Sequence, residues 1–310
     1  MTIFVLNGVA HLSHLGVIRA EGADAAAFLH GQLTQDFALL GAGEARLAAL
    51  CTAKGRMLAS FIGLRPEPEV VLLVCSRDLL TATLKRLSMY VMRAKAKLTD
   101  ASEAFALYGL AGTALTANGL DGAAPSGLRT EIAGVDGASA VALYPADGVP
   151  RVLWIAPVDA PAPAGAPLDP AAWLWSEVRS GIVTLTTPVV EAFVPQMVNF
   201  ESVGGVNFKK GCYPGQEIVA RSQFRGTLKR RTFLVSAAAP LAAGQEVFAA
   251  KDAEQPVGTV AQSAEAPDGS FAALVSMQIA ALDAGGLHAG AADGPALTIE
   301  PLPYPLLEDI

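Results

Sequence analysis

The sequence predicts an α+β protein made of two or three packed units. Its 310 residues, 52% of them hydrophobic, exceed the size of about 250–300 residues at which a single core usually stops growing. Stretches with strand character are mixed with a few helical stretches before residue 229. From there onward, short alternating strands between Gly and Pro turns predict a small all-β unit at the C-terminal end.

Each element of this prediction follows from periodicity and from turn or cap residues. Asp24 is predicted to cap the first helix, and Pro170 and Gly181 to bound the helix after the proline-rich surface loop 156–170. The basic run 84–98 is interpreted mainly as a solvated helix face. In chain order the predicted elements are a strand and a helix within 16–40, three strands within 45–75, a helix over 77–92, strands at 104–110, 139–144 and 151–156, a helix over 170–182, and a helix over 215–224 ending at Gly226.

Composition excludes several classes of protein. No apolar run approaches the roughly 18 residues of a membrane span, and the N-terminus lacks the features of a signal peptide, so we expect a soluble cytoplasmic protein. Cys51, Cys75 and Cys212 are widely spaced, which predicts free thiols in a reducing compartment. No nucleotide-binding or zinc motif is present, and a complete iron-sulphur site usually needs about four thiolates. We therefore expect no metal site.

A local excess of positive charge surrounds Cys212. The net charge of the chain is -7, yet seven of its 22 Lys and Arg residues lie within 209–231, which favours an anionic ligand or a limited patch of a polyanion. The turn 213–216 leads into a helix in which Glu217 and Arg221 are spaced for an ion pair. Neighbouring lysines and the helix start favour the thiolate form of Cys212. The alternative is a small side chain packed under a turn.

The stretch FKKGCYPGQEIVARSQFRGTLKRR resembles the signature of the YgfZ family of folate-binding proteins, relatives of the aminomethyltransferase (T-protein) of the glycine cleavage system. The pattern Lys-Gly-Cys-Tyr-x-Gly-Gln-Glu-x-x-Ala-Arg-x-x-Phe-Arg-Gly matches from Lys210 to Gly226. Looser similarity extends through PQMVNFESVGGVNFKKG, FLHGQLTQD and CTAKGRM. The resemblance implies a T-protein-like fold around a central channel. Its implied parts are a discontinuous folate-binding domain (1–50 and 156–228), a middle α+β domain (51–155) and a C-terminal β-barrel domain (229–310).

The resemblance also implies the activity of an accessory factor. Such a protein binds tetrahydrofolate or a derivative in the channel and supports assembly or repair of iron-sulphur clusters, including those of tRNA methylthiolation enzymes. Its expected partners are a reduced folate and iron-sulphur proteins or the cluster assembly machinery, and we expect a monomer.

Functional residues carry over from the matching positions. Cys212 would supply a thiolate close to the folate, and Lys210 would supply positive charge to that thiolate or to a ligand carboxylate. Trp173 would stack on the pterin, although an amphipathic helix could simply bury it. The remaining positions assigned to the folate-binding site are Lys54, Gly211, Gln216, Glu217 and Arg221. Lys54 as an exposed turn lysine and Glu217–Arg221 as an ordinary surface pair stay open as alternatives.

Two departures from the related patterns affect the expected function. T-proteins carry a catalytic aspartate in a Gly-x-x-Asp-Asp context, where this chain has Leu58, Ala59 and Ser60, so we expect no aminomethyl transfer. Leu15 stands where the family has a tryptophan associated with folate binding.

Two other classes of function are compatible with the sequence. One is a folate-dependent one-carbon transferase or demethylase that uses another base. The other is an interaction protein whose basic loop docks on a partner or on tRNA. Direct tRNA binding ranks low because only Tyr213 and Phe224 near the loop offer rings for base stacking.

Overall fold

A computed structural model describes residues 4–225, 228–283 and 285–307 of the chain. The described part contains five α-helices and sixteen strands. The helices are α1 (Ala25–His30), α2 (Arg77–Val91), α3 (Thr113–Ala117), α4 (Pro170–Arg179) and α5 (Gln216–Phe224). The strands are β1 (Gly8–His11), β2 (Leu15–Glu21), β3 (Ala45–Cys51), β4 (Met57–Glu67), β5 (Val70–Ser76), β6 (Lys97–Asp100), β7 (Phe105–Ala111), β8 (Arg129–Glu131), β9 (Ser139–Ala146), β10 (Val149–Pro157), β11 (Arg230–Ala237), β12 (Glu246–Ala249), β13 (Asp252–Glu265), β14 (Phe271–Gln278), β15 (Leu287–Ala289) and β16 (Ala296–Glu300).

The strands form two open sheets and one barrel. Sheet A has the order β1-β7-β10-β9-β8, and sheet B has the order β3-β4-β5-β2-β6. The six strands from β11 to β16 form a closed barrel, which β11 completes by pairing with β16. Closure leaves the barrel without free sheet edges. The predicted α+β class and the C-terminal barrel are confirmed.

Sheets A and B pack face to face. Val70, Leu72 and Val74 of β5 share one hydrophobic cluster with Leu153 and Ile155 of β10. The alternate residues of β5 join a second cluster with α1 and α2 on the opposite face of sheet B. Both faces of this strand are therefore covered, which explains why VVLLVC is an unbroken apolar run rather than an alternating one.

Helix α4 lies where the sheets and the barrel meet. It begins at Pro170 as predicted, Asp169 caps it by accepting a hydrogen bond from Ala171 N (2.8 Å), and Gly181 follows it with φ +75°. The helix packs against β1 and β9 of sheet A and against β13 and β14 of the barrel. Its position connects sheet A with the barrel.

Most predicted elements are confirmed, and two local expectations are corrected. The basic run 84–98 is not one helix, because α2 ends at Val91, Met92 adopts φ 39°, and β6 begins at Lys97. Asp24 occupies the cap position of α1, but its side chain accepts from Lys95 N (2.7 Å) instead of a helix amide. The short elements β1, β6, β8, β15 and α3 were not predicted, and the predicted stop at Gly226 lies outside the described residues.

Sheet membership divides the chain at other places than the predicted domains. The boundary predicted between residues 50 and 51 falls within β3, whose partner β4 belongs to the same sheet. Sheet B collects the strands of residues 15–100, and sheet A collects β1 with the strands of residues 105–157. Hydrogen bonding between β3 and β4 thus binds together residues that the predicted boundary separates.

None of the helices in the described part of the chain has the length and apolar character needed to cross a bilayer.

Candidate functional site

A central cavity of about 290 Å³ lies between sheet A, sheet B and α4. Its wall is mainly apolar, with a few polar side chains from different elements. Arg151 comes from β10, Glu177 from α4, Tyr144 from β9 and Ser60 from β4. An apolar cavity with a few convergent polar groups is the usual form of a small-molecule site.

Trp173 and Glu177 form the polar centre of the cavity wall. One helical turn separates them on α4, and the Trp173 Nε1 donates to Glu177 Oε1 over 2.9 Å. The same carboxylate oxygen lies 3.0 Å from His14 Nε2, and Glu177 Oε2 lies 3.5 Å from Gln262 Nε2 of the barrel. The carboxylate is thus held by groups from the β1–β2 turn, from α4 and from β13.

Arg151 completes this network as a buried cation. Its guanidinium lies 5.2 Å from the centre of the Trp173 ring and donates to Tyr144 O and Ser176 Oγ. Burial lowers the pKa of Arg151 to about 10, and the nearby Glu177 carboxylate opposes that shift. The guanidinium remains charged at neutral pH, and its charge is balanced inside the protein.

The Trp173 indole is covered by protein although the residue lines the cavity. Its side chain is fully buried, and a Cβ placed on Gly109 would come within 2.4 Å of the ring. The ring therefore packs directly on the backbone of β7 and under Arg151. Stacking of Trp173 on a pterin stays a prediction, and it would require these neighbours to move.

The cavity wall has no carboxylate where the transferase pattern has its acidic pair. Ala59 is fully buried, and the Ser60 hydroxyl accepts a hydrogen bond from Leu185 N (2.9 Å). Leu15 also lines the cavity. Ser60 and Leu15 thus contribute a hydroxyl and an apolar side chain to the wall, and neither supplies a carboxylate.

The second candidate site is the loop that carries Cys212. Cys212 is exposed, whereas Cys51 and Cys75 are buried in β3 and β5, where burial raises the pKa of each thiol to about 12. The turn before α5 forms as predicted, with Gly215 at φ +82° and Gln216 N donating to Tyr213 O. Cys212 is the accessible thiol of the three.

Two glycines bring the β3–β4 turn against the start of α5. Gly55 and Gly215 both have positive φ, and a Cβ on Gly215 would lie 2.4 Å from Thr52 O and 2.7 Å from Gly55 Cα. No side chain fits between these backbones. The contact places the turn that carries Lys54 beside the loop of Cys212.

Lys210 ties the loop to the end of α1. Its Nζ donates to Leu33 O (2.8 Å) and to His30 O, and it lies 4.7 Å from the centre of the Tyr213 ring. Burial lowers the pKa of Lys210 to about 8, while Asp36 and Cys212 act in the opposite direction. The ammonium is therefore a fixed structural cation whose field reaches the thiol.

Gly211 allows a histidine to approach the loop. His30 Nε2 would lie 3.3 Å from a Cβ on Gly211, and His30 Nδ1 lies 2.9 Å from Asp36 Oδ1. Burial disfavours the Asp36 carboxylate, but hydrogen bonds from Leu39 N and His30 outweigh it and hold the pKa of Asp36 below its ordinary value. An ionised carboxylate thus orients the His30 ring beside the loop.

The predicted ion pair on α5 does not form. Glu217 and Arg221 are both exposed, and within the described residues no salt bridge or hydrogen bond joins their side chains. Gln216 Nε2 reaches Lys210 O at 3.5 Å, and the backbone N of the exposed Lys54 donates to Thr52 Oγ1. Solvation of the charged ends explains the missing pair, since an exposed ion pair contributes little.

The structure separates the predicted site residues into two groups. Lys54, Lys210, Gly211, Cys212, Gln216, Glu217 and Arg221 lie at the surface loop, and none of them is among the described residues lining the cavity. Trp173 lies at the cavity. Lys210 and the Gly55–Gly215 contact hold the loop on α1 and the β3–β4 turn, and the expectation that one channel holds both the folate and the Cys212 thiol stays a prediction.

Sequence reasoning missed the polar partners of both groups. Glu177 follows Trp173 by four residues, so its place on the same helical face was readable from spacing. His30 and Asp36 lie within the FLHGQLTQD stretch, whose similarity to the YgfZ family could have drawn attention to both residues. Arg151 had no local signal, because a lone arginine in a strand sequence does not reveal a buried cation.

The chain is similar in sequence to curated proteins of bacteria. A protein of Edwardsiella ictaluri named tRNA-modifying protein YgfZ is 32% identical over 300 residues, which cover 93% of this chain and 89% of that protein. The chain belongs to the YgfZ family. The YgfZ protein of Sodalis glossinidius is 30% identical over 314 residues, covering 96% of this chain and 93% of that protein. No protein-family model matches the chain.

The chain also has the T-protein fold. It superposes on the glycine cleavage system aminomethyltransferase T from Bartonella henselae with a TM-score of 0.66, covering 97% of this chain and 86% of that one. Sequence identity is 17%, so this similarity shows the fold alone. The predicted family and the aminomethyltransferase-like fold are confirmed.

The three thiols should differ in reactivity and in their contribution to stability. In the native protein, iodoacetamide should modify Cys212 and spare Cys51 and Cys75, because only Cys212 is exposed. Cys212→Ala should change the free energy of unfolding by less than about 0.5 kcal/mol, whereas Cys51→Ala and Cys75→Ala should each cost about 1 kcal/mol or more. Mass mapping of the modified sites and urea titration measure these effects. Equal labelling of all three thiols would contradict the assignment.

Lys210 should add a pH-dependent term to stability. Its pKa is near 8 when folded and 10.5 ordinarily, so between these values the unfolded chain binds more protons at this site. The wild type minus Lys210→Met difference in free energy of unfolding should therefore increase as the pH rises above about 8. This added stability of the wild type is lost as the pH falls through 8. Urea titrations from pH 7 to 10 measure it. The exposed Lys209→Met variant serves as the control, and a wild-type to Lys210→Met difference independent of pH would refute the interpretation.

Proposed function

We propose that the protein binds tetrahydrofolate or a derivative in its central cavity and supports assembly or repair of iron-sulphur clusters, including those of tRNA-modifying enzymes. The observation that carries the folate part is the apolar cavity with Glu177 and Arg151 in its wall, within the fold of a folate-dependent transferase. The cluster part is supported by the relatives named tRNA-modifying protein YgfZ, which match nearly the whole chain.

The residues of the cavity fit the ring of a reduced folate. A volume of about 290 Å³ is at the lower end of the range for ligand pockets, roughly 300–1,000 Å³, which suits a bicyclic ring better than a complete folate with its tail. The ring carries N–H donors, and Glu177 is a fixed acceptor in the wall. When bound, a reduced folate can carry a one-carbon unit. Arg151 and Glu177 would orient it, and the apolar wall would exclude water.

The Cys212 loop supplies a separate functional surface in this proposal. The thiol is exposed, Lys210 is fixed near it, and exposed basic side chains surround it. Such a surface suits contact with an iron-sulphur protein or with the cluster assembly machinery. The folate and the thiol would then act at different places on one protein.

The alternative function is a folate-dependent one-carbon transferase. It would need a base beside the folate amine, and the transferase positions hold Ala59 and Ser60, whose hydroxyl already accepts from Leu185 N. Glu177 is the carboxylate of the wall, and three partners engage it. The accessory role therefore fits the cavity better than the transferase role.

Reduced folate should bind in the cavity. Leu47→Trp narrows the cavity from a half-buried wall position and should weaken binding at least about tenfold by calorimetry, since the ring would lose its space. The exposed Val158→Trp adds the same bulk elsewhere and should bind as the wild type does. Folate affinity unchanged in Leu47→Trp would place the ligand outside the cavity.

The protein should not replace the T-protein in a reconstituted glycine cleavage system. No acidic pair stands at residues 58–60, so proton transfer at the folate amine lacks its carboxylate. Formation of methylenetetrahydrofolate is the measurement, with authentic T-protein as the positive control. A rate well above background would favour the transferase alternative.

Cys212 should be required for the cellular role. Cys212→Ala should fold as stably as the wild type yet fail to restore the activity of iron-sulphur tRNA-modifying enzymes in cells that lack the protein. Cys75→Ala should lose stability but restore activity in the fraction that folds, because its thiol is buried. Full rescue by Cys212→Ala would show that the thiol has no part in function.

A further inference from the structure

A second cavity, of about 790 Å³, lies between sheets A and B. No described residue lines both this cavity and the central one. Strand β5 passes both of them, with Val70 and Leu72 in the wall of the second cavity and Val74 in the wall of the central one. We name the second cavity the β8 cavity, because Arg129 and Glu131 of the edge strand β8 form part of its wall. The proposed folate site makes no use of it.

Much of the wall of the β8 cavity is apolar. Leu72 belongs to the hydrophobic cluster between the two sheets, and Phe105 of β7 packs against that cluster. Ile132 and Val135, both half-buried, extend this surface in the loop after β8. An apolar wall of this kind can cover the apolar side chains of a ligand.

Strand register places two arginines in the same wall. Arg19 of β2 is the cross-strand partner of Leu72, and Arg129 of β8 is the partner of Val141. Both partners belong to the cluster between the sheets, and paired residues of neighbouring strands lie on the same face. The two guanidinium groups therefore belong to the inner faces of sheets B and A.

Both guanidinium groups keep donors for a ligand. Arg129 is 6% exposed, and its Nη2 contacts Glu131 Oε1 at 3.4 Å, although the Glu131 side chain is itself 76% exposed. Arg19 Nε donates to Glu21 Oε2 over 3.1 Å, and its two Nη atoms have no partner in the part of the chain that the structure describes. A guanidinium with free Nη donors can bind a ligand carboxylate through two hydrogen bonds.

Carboxylates in the same wall define the charge of the ligand. Glu67 and Asp136 are exposed and have no hydrogen-bond or ion-pair partner among the described residues. With Glu131 they give three carboxylates against two arginines. A ligand with negative charge alone would lie beside this excess of carboxylates, and one with positive charge alone would lie beside the buried Arg129. A ligand that carries both charges can avoid both repulsions.

We infer that the β8 cavity binds a short peptide with apolar side chains. Its carboxylate would bind Arg19 and Arg129, and its ammonium group would lie towards Glu67 and Asp136. The cavity volume of about 790 Å³ is within the range of roughly 300–1,000 Å³ for ligand sites. This inference does not rest on the proposed function, because the two cavities share no described lining residue.

Calorimetry with three forms of one dipeptide tests the inference. Leucyl-phenylalanine carries both charges, its N-acetyl form lacks the ammonium group, and its C-terminal amide lacks the carboxylate. The apolar part is the same in all three, so differences in affinity report the charges. The unmodified dipeptide should bind at millimolar concentration or below, and each capped form should bind about tenfold more weakly, as expected for the loss of one charge-assisted contact.

Arg19→Gln tests the role of the arginine. It should weaken binding of the dipeptide about tenfold but leave the affinity for the C-terminal amide nearly unchanged, because the amide has no carboxylate for Arg19 to bind. Arg93→Gln, at an exposed arginine that does not line the cavity, is the matched control and should bind the dipeptide as the wild type does.

Ile132→Trp narrows the β8 cavity and tests its location. It should abolish dipeptide binding and keep the wild-type affinity for reduced folate, which also verifies that the variant folds. Leu47→Trp, in the central cavity, should bind the dipeptide as the wild type does. These two variants distinguish a failure of this inference from a failure of folate binding.

Four outcomes would overturn the inference. They are absence of dipeptide binding at millimolar concentration, a capped form that binds as tightly as the unmodified dipeptide, an equal effect of Arg19→Gln on the dipeptide and its amide, and displacement of the dipeptide by reduced folate. Tightest binding of the N-acetyl form would assign the cavity to an anion instead.

Discussion

The buried carboxylate of Glu177 is the interaction on which the arrangement of the three sheets depends. It accepts from Trp173 on its own helix, contacts His14 in the turn between sheets A and B, and lies within reach of Gln262 on the barrel. A carboxylate buried without such partners would cost several kcal/mol. The need of this carboxylate for hydrogen-bond partners therefore ties α4 to the β1–β2 turn and to the barrel. The same side chain lines the central cavity.

Local sequence signals predicted the elements well because those elements satisfy local rules. Pro170 and Asp169 begin α4, and Gly215 takes the positive φ that its turn requires. The strands of the barrel are separated by turns that the sequence also marks. Where a distant residue competed, the local rule failed. Asp24 stands in a cap position, yet its carboxylate binds Lys95 N, which is distant in sequence. The basic run after α2 changes from helix to strand because β6 pairs with β2.

The candidate site was only partly predictable for a related reason. The motif around Cys212 identified the loop residues correctly as neighbours, since they are continuous in sequence. Placing that loop at the folate channel required knowledge of where it packs, and this depends on contacts of Lys210 with α1 and of Gly215 with Gly55. Neither contact is marked by a side-chain pattern that sequence reasoning could detect. Arg151 was missed because its stabilising partners come from two other elements, β9 and α4.

Separation of the cavity from the thiol has a mechanistic consequence. A ligand in the cavity can influence Cys212 only through the protein between them, and coupling of that kind requires an element with two arrangements that both sites bias. The rigid Gly55–Gly215 contact and the buried Lys210 argue against a loop that moves freely on its own. The segment 204–212, which runs from Gly204 in the cavity wall to Cys212, is the shortest covalent path between the two places. A shift of this segment is therefore the most direct route by which a ligand in the cavity would affect the thiol.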